Sequence, residues 1–300
     1  MDHTFDIAVL TGRKYINDSY PDNYSQNVVD EDNAVLNALK AEGLKAVRTY
    51  WDNPDFDWGT TRYILFRTIW DYFDRFDEFG PWLEEVSAQT KMINPPELIY
   101  WNIDKFYLRD LDEKGVAIPP TVFIEKGTVT TLSDIASGLG WEEYILKPAV
   151  SGAARHTYRI QASDLPDYEG IFKELIRGER MLLQQFQKNI LDQGEVAFMV
   201  FGGKFSHAVL KKAKPGDFRV QDDFGGTVHP YLPHPTEISF VEKAIASCPV
   251  PPVYARADVM WDNEGGLCLG ELELIEPELW FRMNDKAATL FAKSIKEYIS

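Results

Sequence analysis

The stretch Gly270-Glu271-Leu272-Glu273-Leu274-Ile275-Glu276-Pro277 decides how this chain is read. Acidic and apolar residues alternate at the period of a β-strand. Glu271 and Glu273 therefore project from one face, roughly 7 Å apart. Unpaired carboxylates on a sheltered face are costly to desolvate, and a hard cation that prefers oxygen ligands, such as Mg²⁺, removes that cost. The preceding run, Val253 to Trp261, also reads as a strand and puts Arg256 and Asp258 on one face. Asn263-Glu264-Gly265-Gly266 between the two runs has the composition of a hairpin turn. Pairing Asp262 with Leu267 then sets Asp258 opposite Glu271. Three carboxylates with an arginine beside them outline a metal–polyphosphate site; the plain alternative is a solvated polar strand face.

The rest of the composition limits what such a site serves. The 300 residues are 45% hydrophobic and 26% charged, with net charge −16. That suits a globular protein with a real core and excludes a nucleic-acid-binding surface unless basic residues cluster on one face. Cys248 and Cys268 offer neither a disulfide framework nor metal-ligand spacing, and strict alternation places Cys268 on the face opposite the carboxylates. The N-terminus lacks the basic and apolar regions of a signal peptide, and no apolar run approaches membrane-spanning length. The expectation is a cytoplasmic protein without a membrane partner.

Along the chain, Phe5–Leu10, Leu44–Tyr50 and Tyr63–Phe66 read as buried strands, with a helix over Asp30–Glu42 stopped by Gly43. Strand alternating with helix predicts an α/β layer with a parallel sheet, whose ligands lie beyond the carboxyl ends of the strands. Arg13, Arg67 and Asp71 stand at such ends. Arg67 is a candidate for a substrate carboxylate, and a structural Arg67–Asp71 pair is the alternative. A helix is expected from Trp101 to Gly115. Tyr144-Ile145-Leu146-Lys147-Pro148 is a strand ending in a lysine, followed by the small-residue loop Ala149–Thr157, a candidate anion nest. Glu195–Phe201 and Lys204–Lys212 form a hairpin around Gly202-Gly203. Lys211, Lys212 and Lys214 cluster after it, and His207, mid-hairpin, reads as a packed rather than a catalytic histidine.

The order of these features resembles the ATP-grasp superfamily, in its RimK/prokaryotic glutathione synthetase-like branch and, within that, the D-cycloserine synthetase group. The residues carrying the resemblance are Trp101–Lys105, Leu146-Lys147-Pro148, Gly194-Glu195, Ser206–Val209, Lys212–Arg219, Phe224-Gly225-Gly226, Arg256-Ala257-Asp258 and Glu271-Leu272-Glu273, with Arg67–Tyr72 before them. The resemblance implies an α/β fold with a pre-ATP-grasp domain (1–100), a central lid subdomain (101–185) and a C-terminal subdomain with the metal site (186–300). It implies ATP with Mg²⁺ or Mn²⁺ as cofactors. Lys105 and Lys147 would hold the phosphates beside Ser151 and Gly152, while Gln184, Gln185 and Phe186 read the adenine. Glu195 would bind the ribose, Lys212 the γ-phosphate, and Asp258, Glu271 and Glu273 the metal.

Arg219, with Arg256 and Lys212, is then expected in catalysis, and Arg13, Arg67, Asp71 and Arg282 around the substrate. Two departures stand out: Glu273 where many relatives have asparagine, and Glu276-Pro277-Glu278-Leu279-Trp280 in place of Asn-x-x-Pro-Gly. The activity implied is ligation of a small carboxylate to an amine through an acyl phosphate, with ADP and phosphate released. Intramolecular ring closure, a small-molecule kinase on the same fold and a nucleotide-binding scaffold are the alternatives. Dimers are common among relatives, so a homodimer is compatible.

Overall fold

The structure is a computed structural model that describes residues 3–220 and 225–300; Phe224 of the expected Phe-Gly-Gly motif lies outside them. The N-terminal part is a parallel sheet of β1 (Phe5–Thr11), β2 (Ala46–Tyr50), β3 (Thr61–Thr68) and β4 (Lys91–Ile93) in the order β2-β1-β3-β4. The helix α1 (Asn23–Ala41) begins earlier than its apolar spacing announces, because the Asp22 side chain caps it by accepting from the Ser25 N–H. A second helix, α2 (Phe76–Ser87), leads into β4.

The helix expected from Trp101 starts earlier and is broken. It is α3 (Pro96–Ile103) followed by α4 (Tyr107–Glu113). Asp104 leaves helical geometry between them, and the Lys105 N–H donates to the Ala149 carbonyl at 2.9 Å. The break therefore serves to aim Lys105 at the loop 149–157. Both helices pack through Leu98, Tyr107, Leu108 and Leu111 on the large sheet described below.

Two antiparallel sheets follow. The smaller comprises β5 (Thr121–Ile124), β6 (Glu143–Pro148), β7 (Tyr158–Gln161) and β8 (Met181–Gln185) in the order β5-β8-β6-β7. It is covered by α5 (Leu132–Ala136) and α6 (Glu169–Gly178). The short α7 (Ile190–Gln193) leads to the larger sheet of β9 (Glu195–Phe201), β10 (Lys204–Lys212), β11 (Thr227–Tyr231), β12 (Tyr254–Trp261) and β13 (Leu267–Glu273), ordered β11-β10-β9-β12-β13. The remaining helices are α8 (Pro235–Ala246) and α9 (Ala287–Ile299).

The two faces of the large sheet do different work. Val196, Phe198, Ala257, Val259, Leu269 and Leu272 face α3, α4 and α8 in one apolar core. The opposite face is apolar at one end, where Met199, Val209 and Tyr254 pack against α1 and α9. At the other end it carries Glu195, Lys211, Arg256, Asp258, Glu271 and Glu273. Buried side chains lock this sheet to the parallel one. The Tyr254 hydroxyl donates to the Ile275 carbonyl at 2.7 Å and lies 3.2–3.3 Å from those of Ile93 and Phe66. Asn94 donates to the carbonyls of Tyr254 and Leu274, both at 2.8 Å. The parallel sheet is thus a fixed wall of whatever lies above the carboxylates.

Candidate active site

The acidic cluster forms by a register that departs from strict alternation. Trp261 pairs with Leu267, Met260 with Cys268 and Val259 with Leu269; beyond these the register slips, and Asp258 pairs with Glu271 and Arg256 with Glu273. Gly270 is the extra residue of a β-bulge. Asp258 does fall opposite Glu271, but through the bulge and not through an Asp262–Leu267 pair. The same slip corrects the placement of Cys268. Its partner Met260 shares the face of Asp258, so Cys268 lies beneath the carboxylate side, 1% exposed, rather than opposite it.

A second bulge, between Phe205 and His207, shifts β10 against β9. Without it, Lys212 would share the face of Glu195. With it, Lys211 does. Lys211 is buried, its Nζ 2.5 Å from Glu195 Oε1 and 3.2 Å from Asp258 Oδ2. Lys212 is exposed on the other face and lines no part of the cavity. The cationic position expected of Lys212 is therefore held by Lys211.

These groups form the floor of a cavity of about 550 Å³. Lys105, Lys147, Ser151, Gly152, Gln184, Gln185, Phe186, Glu195, Arg219, Arg256, Asp258, Glu271 and Glu273 all line it. Within it the charges pair. Lys105 Nζ lies 3.0 Å from Glu271 Oε1 and also donates to the Ser151 carbonyl. Arg256 holds Asp258 at 2.7 Å and donates to Glu273. Arg219 grips Asp217 with two bonds of 3.1 and 2.8 Å.

Burial alone would raise Asp258 and Glu271. The cations Arg256 and Lys211 for the first, and Lys105 and Lys147 for the second, outweigh it and hold both below the ordinary carboxylate range. Glu273 lacks enough compensation, and burial, with Glu271 and Asp258 beside it, pushes it up to about 8 despite Arg256. Burial pushes Lys147 down to about 8. The oxygen-only donor set suits Mg²⁺ or Mn²⁺. Among the described residues the three carboxylates do not form a ready-made cation cage, because Arg256 and Lys105 already occupy their oxygens.

One end of the cavity is apolar. Ile145, Phe186, Ile190, Phe218, Val220 and Met260 form a compact cluster there. The Phe186 N–H donates to the Glu143 carbonyl and its own carbonyl accepts from Asn263, so both backbone edges expected for adenine are engaged. The neighbouring Gln185 carbonyl accepts from the Gln187 amide at 3.0 Å. The loop over the floor holds Ala153, Ala154 and His156 at positive φ. At Gly152 a Cβ would come within 2.5 Å of the Phe73 ring, so that glycine admits close approach of the N-terminal wall.

The four expected substrate residues are not brought together. Arg67 is fully buried and pairs with Glu31 at 2.6 Å, not with Asp71, and its guanidinium lies over the rings of Phe281 and Phe291. Asp71 accepts from Trp51 Nε1 and pairs with Arg75 at 3.0 Å. Arg13 stacks on Tyr50, and Arg282 pairs with Glu278 at 2.6 Å. None of the four lines the cavity; Lys14, Tyr15, Tyr24, Trp70, Phe73, Glu276, Glu278 and Trp280 do. Only the departure of Glu276–Trp280 from the common pattern pointed to any of these. His207 packs as expected, its Nε2 donating to the Leu279 carbonyl at 2.9 Å.

Two antiparallel sheets clasping a cation- and carboxylate-lined cavity against a parallel sheet define the ATP-grasp fold, and the chain has that fold. Residues 7–94 match the family model described as D-cycloserine synthetase DcsG, N-terminal domain. The cycloserine biosynthesis protein DcsG of Streptomyces lavendulae is 28% identical over 281 residues, 88% of this chain and 92% of that protein. The crystal structure of D-cycloserine synthetase DcsG superposes with a TM-score of 0.83 at 25% identity, covering 98% of this chain and 99% of that one. The D-alanine–D-alanine ligase of Bacillus anthracis shares the fold, with a TM-score of 0.65 at 15% identity over 97% of this chain and 95% of its own. No helix among the described residues is long and apolar enough to cross a membrane.

Proposed function

We propose that the chain is an ATP-dependent ligase that activates a small carboxylate as an acyl phosphate for attack by an amine, releasing ADP and phosphate. The observation that carries this reading is the single cavity in which Lys105, Lys147, Lys211, Arg219 and Arg256 face Asp258, Glu271 and Glu273. Phosphoryl transfer needs alignment and charge neutralisation more than covalent chemistry, and this set provides both. Asp258, Glu271 and Glu273 would hold Mg²⁺, which supplies charge neutralisation at the phosphates when bound. Lys105 and Lys147 would orient the transferred group. Arg219 and Arg256 would stabilise the oxyanion formed when the amine attacks. The loop 149–157 and the N-terminal wall, in contact at Gly152 and Phe73, would exclude water from the acyl phosphate.

A second reading, ring closure within one small molecule, is favoured by the likeness to DcsG over nearly the whole chain. A volume of about 550 Å³ is of the size that holds small ligands. The test is ADP release from Mg-ATP across pooled amino acids and small carboxylates, beside Glu271→Gln. Stimulation by one pool, lost in the variant and accompanied by a dehydrated product, supports ligation; inter- and intramolecular condensation differ in product mass. A stable phosphorylated product points instead to a kinase. Nucleotide binding without turnover on any pool leaves a scaffold or a substrate outside the pools.

A further inference from the structure

Trp280 is a conformationally constrained residue of the cavity. It adopts left-handed backbone geometry, φ 43° and ψ 47°, a conformation that a large side chain takes only where its surroundings impose it. The imposing contacts come from distant elements. The Glu31 carboxylate, on α1, accepts from the Leu279 N–H at 2.7 Å and the Phe281 N–H at 3.2 Å. Arg67 holds the same carboxylate at 2.6 Å, and His207 donates to the Leu279 carbonyl. The backbone on both sides of Trp280 is thus pinned, one side chain of the N-terminal part bridging the two flanking amides.

The indole that results is 3% exposed and lines the cavity beside the acidic floor. The Arg256 guanidinium lies 5.2 Å and the Lys211 ammonium 5.7 Å from its ring centroid. Its Nε1–H is buried and has no hydrogen-bond partner among the described residues. A buried donor left unmade is costly, and here it belongs to a side chain held in place at visible conformational expense. What satisfies it is an acceptor oxygen entering the cavity beside Arg256 and Lys211, which stand over this ring and are themselves paired with carboxylates of the floor. We propose that Trp280 is a substrate-recognising residue whose indole N–H receives a carboxyl oxygen of the substrate to be activated, and that Glu31 is the residue that positions it.

This rests on the ligase reading, and the test separates the two. Indole N–H cross-peaks are recorded on ¹⁵N-labelled full-length protein, with Trp280→Phe assigning the Trp280 signal; that variant keeps the ring over Arg256 and removes the donor. Mg-AMPPNP is added first, then acetate or D-alanine as carboxylate probes. The expected result is a downfield shift of the Trp280 indole proton on adding the carboxylate, beyond any change caused by the nucleotide. In Glu31→Gln the Trp280 signal is expected to broaden or split and the shift to be lost while AMPPNP still binds.

A Trp280 proton that AMPPNP alone moves downfield, with no further change from the carboxylates, assigns the donor to a phosphate oxygen and overturns the proposal. Silence at Trp280 overturns it whether or not other indoles respond. An unchanged Trp280 signal in Glu31→Gln removes the positioning role. Failure of AMPPNP to bind overturns the ligase reading itself, independently of Trp280.

Discussion

Lys211 stands directly opposite Glu195 in the β9–β10 ladder, with its Nζ 2.5 Å from the carboxylate and 3.2 Å from Asp258. Burial would discharge this lysine, but the two acids outweigh it and raise its pKa. It is therefore a fixed positive charge that screens two buried negative ones.

Removing it leaves Glu195 without its paired cation and Asp258 with Arg256 alone. Lys211→Met is predicted to destabilise the protein by about 3–5 kcal/mol, the cost of breaking a buried pair from one side, and to abolish ADP release. Lys212→Ala, on the exposed face, is predicted to change stability by less than about 0.5 kcal/mol and to leave turnover within about two-fold. Urea denaturation and a coupled ADP assay on both variants check this. Equal losses in the two would show that Lys212 reaches the site after all.

Glu271 contacts Lys105 at 3.0 Å and shares its strand face with Glu273. Glu271→Gln keeps the shape and removes one charge from a crowded acidic set. ADP release is predicted to fall by about 100-fold or more, the scale seen when one element of transition-state electrostatics is removed. Thermal unfolding is expected to stay near that of the parent. A collapse of stability matching the loss of activity would mark Glu271 as structural.

Arg67 is fully buried against Glu31, 36 positions earlier in the chain. Arg67→Met leaves that carboxylate buried without its cation, and a loss of about 3–5 kcal/mol is predicted. Were Arg67 a substrate ligand, the variant would fold normally and raise KM. Chemical denaturation alongside steady-state kinetics distinguishes the two results.

Asp32 is buried near Arg67 and Arg48, and burial pushes its pKa up to about 6 despite both arginines. The folded state therefore holds the proton more tightly than the unfolded chain. Its contribution to stability is full below the unfolded value near 4 and is lost as pH rises toward 6. Linkage makes that loss about 3 kcal/mol. Asp32→Asn removes this titration, so the parent-minus-variant stability is predicted to fall between pH 4 and 6 and to be flat above 7. Urea titrations at pH 4.5, 5.5 and 7.5 measure it, and a difference independent of pH would refute the assignment.

Much of the site was legible because its residues sit on strands with plain signals. The period-two run Glu271–Leu274 and the turn Asn263–Gly266 place the acids on one hairpin, and Lys147 follows directly from a strand ending in Pro148. The substrate end was not legible. Tyr15, Trp70 and Trp280 carry no local pattern that separates a cavity wall from a core. They meet only because Tyr254 and Asn94 tie the parallel sheet to the large one.

Local chemistry in the sequence therefore determined the layers, the hairpins and the types of charge that share a site. It did not determine which member of an adjacent pair enters that site. Strand faces alternate with every residue, so one bulged position exchanges the faces of all that follow. The slips at Ser206 and Gly270 put Lys211 rather than Lys212 beside Glu195 and brought Cys268 under the acids. Nothing in the local pattern of either strand marks those slips. The tertiary structure alone decided them, as it decided that Arg67 answers Glu31 and that Trp280 faces the cavity.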